Sequence, residues 1–196
     1  MRTVIVFNHP NEGSYCNAIL QSVTKGLQNA NHEVDLIHLD HDGFNPAMSK
    51  ADLKAFVDHQ PIDPQVIDYN ERLKKANHLI FIFPIWWDIM PATTKGFVDR
   101  VLSPGVMYDH HPIGFGLVPL VKNLKSITII TTMNKPGILY SLLIGNLIRK
   151  TMLRSVFKTM GYKNRHWISF TSVKSVSWEK RVKWLSNLEN RFSKLH

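Results

Sequence analysis

Five short stretches rich in β-branched and aromatic residues punctuate the chain, at residues 3–7 (TVIVF), 34–39 (VDLIHL), 79–83 (LIFIF), 126–131 (SITIIT) and 167–170 (WISF). Their length and composition predict strands, the third buried on both faces of a sheet. Between them apolar positions recur at helical spacing. Ile19, Leu20, Val23, Leu27 and Ala30 share one face after Ser14 or Asn17, either of which can cap the helix. Val66, Tyr69, Leu73 and Ala76 align over residues 64–76, and Phe97, Val98, Val101 and Leu102 follow Pro91. A strongly apolar helix with Leu143, Leu147, Ile148, Met152, Val156 and Met160 closes at Gly161. A last helix over 177–194 buries Val182, Leu185, Leu188 and Phe192. Residues 40–64 are polar and broken by prolines, with one short helix near 50–57, and residues 103–123 read as a long connection. Strands alternating with helices predict an α/β fold, a doubly wound parallel sheet in the order 2-1-3-4-5 with helices on both faces. No repeat or low-complexity tract interrupts it, so residues 1–196 are expected to form a single domain.

The stretch from 79 to 102 organises the rest. Pro84 cannot donate to the sheet and ends the third strand; Trp86 and Trp87 follow at its carboxyl end, where open α/β sheets place their ligands. A lone tryptophan there would serve core packing equally well. Two together between Pro84 and Pro91 read as a wall for a flat aromatic ligand, with the main-chain amides from Ile85 through Asp88 to Ile89 as hydrogen-bond donors to its rim.

Two further constellations lie at neighbouring strand ends. After the first strand come His9, then Ser14, Tyr15, Cys16 and Asn17 at a helix amino-end, which exposes N–H groups and a partial positive charge. The same residues also suffice as simple caps. After the fourth strand come Thr131, Thr132, Met133 and Asn134, then Tyr140, whose phenol can donate a hydrogen bond to a ring or carbonyl. There is no GxGxxG after the first strand and no GxxxxGK[ST] anywhere, which argues against Rossmann and P-loop nucleotide sites.

Composition narrows the setting. Hydrophobic residues make up 44% and charged ones 20%, as in ordinary globular proteins. One cysteine precludes an internal disulfide and a cysteine-based zinc framework. No secretory leader pattern or membrane-spanning apolar run is evident, so a cytoplasmic protein without a transmembrane segment is expected. The net charge of +9 is spread along the chain, which favours drawing in anionic dinucleotides over nucleic-acid binding. His38 with His41, and His110 with His111, lack carboxylate or thiol partners at ligand spacing, so no metal site is expected.

The central run FPIWWDIMPATTKGFVDRV resembles the signature of the NAD(P)H:quinone oxidoreductase family, the flavodoxin-like flavoproteins that include DT-diaphorase and the modulators of drug activity. His9-Pro10 with Ser14 to Asn17, and Thr131-Thr132 with Tyr140-Ser141, resemble that family's outer flavin loops in order and spacing. The resemblance implies a non-covalent FAD or FMN. Its phosphate end would lie on Ser14, Tyr15, Cys16 and Asn17 near His9, and its ring against Pro84, Ile85, Trp86, Trp87 and Asp88. The pyrimidine edge would lie near Thr131, Thr132, Met133, Asn134 and Tyr140, the last as catalytic hydrogen-bond donor. It also implies hydride transfer from NAD(P)H through flavin N5 to a quinone-like acceptor by a ping-pong route, in a homodimer with the site at the interface, where Tyr108 could cover the pocket. Met133-Asn134 stands where mammalian members carry glycines, and Asn146 where they place a histidine. The alternative within the family is a flavin-bearing ancillary subunit of a potassium-efflux transporter. An acidic flavodoxin-type electron carrier is disfavoured by the charge of +9.

Overall fold

The computed structural model describes residues 1–195. Five strands, β1 (Arg2–Phe7), β2 (Glu33–His38), β3 (His78–Pro84), β6 (Ser126–Thr132) and β7 (Arg165–Phe170), form one parallel sheet in the order β2-β1-β3-β6-β7. This is the expected order, with β6 and β7 as the fourth and fifth sheet strands. Between β3 and β6 the connection folds back as an antiparallel hairpin, β4 (Tyr108–His110) with β5 (Leu117–Pro119), where a plain loop was expected. Its two three-residue strands lack the apolar alternation that would betray them.

Every residue of β3 and β6 is buried, as strands covered on both faces require. Alternate side chains feed two cores. Val4, Val6, Leu79, Phe81, Phe83, Ile127 and Ile129 face one side. There they meet α3 (Pro64–Lys74), α4 (Ala92–Val101) and the long helical segment that follows β6. Ile5, Phe7, Ile80, Ile82 and Ile130 face the other, under α1 (Tyr15–Asn29) and α6 (Trp178–Phe192). Helices α1 and α6 pack so closely at Gly26 that an added Cβ would stand 2.5 Å from the Glu189 carbonyl oxygen.

The polar stretch between β2 and α3 is held by one residue. Arg100 of α4 is buried and donates to the Asn45 carbonyl (2.6 Å), to Asp52 (3.0 Å) in α2 (Lys50–Val57), and to Asp63 (2.7 Å). Burial pushes both carboxyls up, but hydrogen bonds from Ser49 and Arg100 to Asp52, and from Arg100 and the Gln65 amide to Asp63, outweigh it and hold them below the usual range.

Two details depart from the sequence pattern. The helix after β6 begins earlier than expected, at α5 (Gly137–Leu139), and continues as π-helical segments over 140–144 and 149–158. Wider π turns alter the buried spacing to Ile148, Met152, Leu153 and Phe157, leaving Leu143 75% exposed and Val156 only half-buried. In α6, Val182 is exposed, because α1 covers only the stripe that carries Leu188 and Phe192.

Candidate active site

The carboxyl ends of β1, β3 and β6 meet at the point where the sheet's connections diverge to opposite faces, and three loops rise there. The loop after β1 is knitted by its own polar groups. The His9 Nδ1 accepts from the Asn11 amide (3.0 Å), the Asn11 side chain accepts from the Gly13 amide (2.8 Å), and the Asn17 side chain donates to the Glu12 carbonyl (2.5 Å). Ser14 caps α1, its Oγ accepting from the Asn17 amide at 3.1 Å. The amides of Tyr15 and Cys16 in the first turn have no acceptor among the described residues. Together with the helix dipole they make an anion cradle.

The loop after β3 is a two-residue reverse turn. Trp86 and Ile89 exchange main-chain bonds of 3.0 and 3.2 Å, and the residues between them, Trp87 (φ 48°) and Asp88 (φ 67°), both adopt the left-handed conformation of a type I′ turn. That conformation costs an L-residue about 1–2 kcal/mol and is normally left to glycine, asparagine or aspartate. Two anchors hold it. The Tyr140 hydroxyl donates to the Asp88 carbonyl (2.9 Å), and Lys135 pairs with the Asp88 carboxylate (2.5 Å). The strained turn lifts the Trp87 indole 97% into solvent, with Trp86 and Ile89 each 45% exposed. The Trp87 and Asp88 amides have no acceptor among the described residues. Upstream, the Ile85 amide bonds the Thr132 carbonyl (2.8 Å), which fixes the loop to the end of β6 while Pro84 stays buried.

His9 joins the first two loops, its ring edge-on to Trp86 at 6.0 Å between centroids. Burial lowers its pKa, partly offset by Asp40 and the Asn11 amide, so the imidazole is neutral near pH 7. Cys16 and Thr132 join the first and third, Sγ to Oγ1 at 3.2 Å.

The three expected loops are thus brought together, but not every side chain within them points into the crevice. Tyr15 turns away, its hydroxyl donating to the Arg181 carbonyl (2.9 Å) and its ring packing on Phe170 and Trp184. The Thr131 Oγ1 is taken by the Trp167 indole N–H (2.9 Å), Met133 is buried, and the Asn134 side chain accepts from the Lys174 amide (3.3 Å). At these positions only the main chain is placed to meet a ligand. Tyr140 requires the largest correction: it lies in a helix, is 1% exposed, and its hydroxyl both donates to Asp88 and accepts from the Ile148 amide (3.2 Å). Its phenolic hydrogen is already committed, and burial raises its pKa. It shapes the turn and presents no free donor. Burial likewise pushes the Cys16 thiol up to about 11, which removes it as a nucleophile.

Two residues went unread in the sequence. Lys135 lies in a loop with no periodicity to mark it. Asn8 is buried and bonds Asp40 (2.8 Å) and Thr94 (2.8 Å), tying the end of β1 to α4; only its place directly after a strand hinted at a role. Tyr108 sits on the β4–β5 hairpin and lines a separate, largely apolar groove of about 410 Å³ with Leu53, Val98 and Val156.

The donor set fits a flavin: paired amides and a dipole for a phosphate at α1, paired amides for a polar ring edge at the turn, and exposed indole and Ile89 surface for its apolar body.

Residues 1–192 match the model of a family described as having a flavodoxin-like fold. NAD(P)H dehydrogenase (quinone) 1 of Rattus norvegicus is 29% identical over 163 residues, 72% of this chain and 56% of that protein. The chain spans about half the length of the curated relatives it matches. Among solved structures, an NAD(P)H:quinone oxidoreductase from Methanothermobacter marburgensis superposes with a TM-score of 0.88 at 23% identity, over 100% of this chain and 99% of that one. An FMN-dependent NADH-azoreductase from Bacillus anthracis str. Ames Ancestor, in complex with FMN, shares the fold with a TM-score of 0.77 at 14% identity, over 98% of each chain.

Proposed function

The chain belongs to the flavodoxin-like fold family, and from that premise we propose that it is an NAD(P)H-dependent oxidoreductase acting on quinones or similar flat acceptors through a bound FMN or FAD. The observation that carries this reading is the strained Trp86–Ile89 turn, which exposes two indoles and two unpartnered amides beside His9 of the loop that leads into α1. A protein gains nothing in stability from a tryptophan held left-handed and 97% exposed; a planar ligand gives it a purpose.

A bound flavin would supply the two-electron hydride chemistry. The chain's own residues bind and orient. The Tyr15 and Cys16 amides, with Ser14 and Asn17 shaping the turn, would hold the phosphate. The Trp87 and Asp88 amides would hold the polar ring edge, and Trp86, Trp87 and Ile89 its flat body. Tyr140 and Lys135 keep the turn in its left-handed form. With Trp87 97% exposed, reductant and acceptor would take the same open face in turn, a ping-pong order.

The open side also supports a homodimer with the site at the interface. Ile138, Leu139, Leu142 and Leu143, either side of Tyr140 in sequence, are exposed, as is Trp87, and a second copy would cover such apolar surface. The reading is tested by purifying the protein, identifying any released chromophore by mass, and measuring NADH- and NADPH-driven quinone reduction. Double-reciprocal plots against varied acceptor should be parallel for alternation at one face; intersecting lines would contradict it.

A further inference from the structure

Seven of the chain's eight arginines fall into two groups, while the eighth, Arg181, lies over the Trp178 ring. Arg2, Arg72 and Arg100 are ion-paired to carboxylates in the half of the molecule that holds β2 and α2 to α4. Arg149, Arg154, Arg165 and Arg191 instead converge on a hollow of about 340 Å³ along β7, the outer strand of the sheet, with Trp167 and His166 completing its wall. None of these four is ion-paired among the described residues, and no carboxylate lines the hollow.

A smaller hollow of about 130 Å³ shares His166 and Arg191 with the first and runs to the amino ends of β3 and β6. Lys125, Ser126, Thr128 and Asn164 line it, one cation and three neutral hydrogen-bonding side chains with no acid among them. His78 lines it too. That side chain is 2% exposed, its Nδ1 is bonded to the Ser126 hydroxyl (2.7 Å), and its Nε2 has no partner.

Four arginines that line one hollow without a carboxylate repel one another, Arg165 among them also donating to the Tyr162 carbonyl. A bound polyanion relieves that repulsion. Guanidinium forks match phosphate oxygens in pairs, so one phosphate satisfies only part of this set. The larger hollow has the volume of a small-molecule site, and the smaller one is closer to the size of a phosphate group. The indole of Trp167 is fixed by its bond to Thr131 (2.9 Å) and offers the larger hollow a rigid apolar wall. Two linked hollows of limited length suit a compact ligand better than a continuous strand.

We infer that this groove binds a small organic polyphosphate of the nucleoside diphosphate class, its phosphates bridging the arginines into the hollow beside His78 and its body against Trp167. The site lies at the opposite pole of the sheet from the phosphate cradle of α1 and does not depend on the proposed oxidoreductase activity.

Calorimetric titration of the full chain with ADP, inorganic pyrophosphate and adenosine, at low and high salt, tests it. ADP and pyrophosphate should bind with one-to-one stoichiometry and weaken as salt rises, and adenosine should not bind. The double variant R154E/R191E alters two exposed side chains outside the proposed active site. It should lower ADP affinity by about tenfold or more, leave flavin content unchanged and not lower the melting temperature. Absence of ADP binding would overturn the inference. So would undiminished binding by the variant, which would place ADP at the α1 cradle. Stronger retention of a single-stranded oligonucleotide than of ADP would also overturn it, as the groove would then be a nucleic-acid surface.

Discussion

Trp87 combines a bulky side chain with a left-handed backbone, and this conflict separates its two roles. Glycine at this position relieves the backbone and removes the indole; alanine removes the indole alone. Trp87→Gly should therefore raise thermal stability relative to Trp87→Ala by about 1 kcal/mol. Both variants should lose flavin affinity to a similar degree, measured by quenching of flavin fluorescence. Unchanged affinity in both would remove Trp87 from the ring site. Tyr140 is the counterpart below the turn. Tyr140→Phe leaves the Asp88 carbonyl and the Ile148 amide without their buried partner, at a cost of about 1–3 kcal/mol by denaturant titration. As a positioning residue it should alter flavin retention and turnover together and leave the pH profile of turnover unshifted. A lost basic limb in that profile would restore it as a proton donor. Its helical setting was hidden because the π turns that carry it follow no 3.6-residue period. Ser14, by contrast, was legible from its place ahead of an amphipathic run.

At the scale of elements, the site depends on how closely α1 is drawn against α6. Gly26→Ala should force the two helices apart at the Glu189 carbonyl and destabilise the protein by about 1–3 kcal/mol, read from the thermal midpoint. A neutral substitution would mean that the helices slide freely and that the α1 amino-end is not rigidly placed. The strands and most helices were readable because burial on two faces or one imposes periods of two and 3.6 on the side chains. The short helix expected near 50–57 is present as Lys50–Val57, its start fixed by reciprocal capping bonds between Ser49 and Asp52. The β4–β5 hairpin was not readable, since strands of three residues carry too few positions to establish a pattern. Nor was the Arg100 clamp, which joins residues 37 and 48 positions apart in sequence. Only the folded chain brings them together.

For the molecule as a whole, the order of the sheet followed from counting strands and helices, and with it the place where ligands collect. The distribution of charge did not follow: +9 spread along the sequence becomes, in space, a set of ion-paired arginines and an arginine-lined edge. The amino pole of the sheet also sets an acid limit. Burial, then nearby His32, Lys125 and the amino terminus, hold the His78 pKa down to about 4, against 6.5 for a free histidine. The unfolded chain therefore takes up this proton first as pH falls, so stability is lost progressively from about pH 6.5 towards about 4. His78→Asn should flatten the dependence of melting temperature on pH across that window. An equally steep dependence in the variant would assign the acid sensitivity elsewhere. The central claim concerns the opposite pole, where the β3 turn lies beside the loop that leads into α1. Its most direct test is equilibrium titration of flavin-free protein with FMN and with FAD, following flavin fluorescence in the wild type and in Trp87→Ala. Saturable binding of one flavin per chain that weakens in the variant is expected; failure of either flavin to bind, in a protein that remains folded, would contradict it.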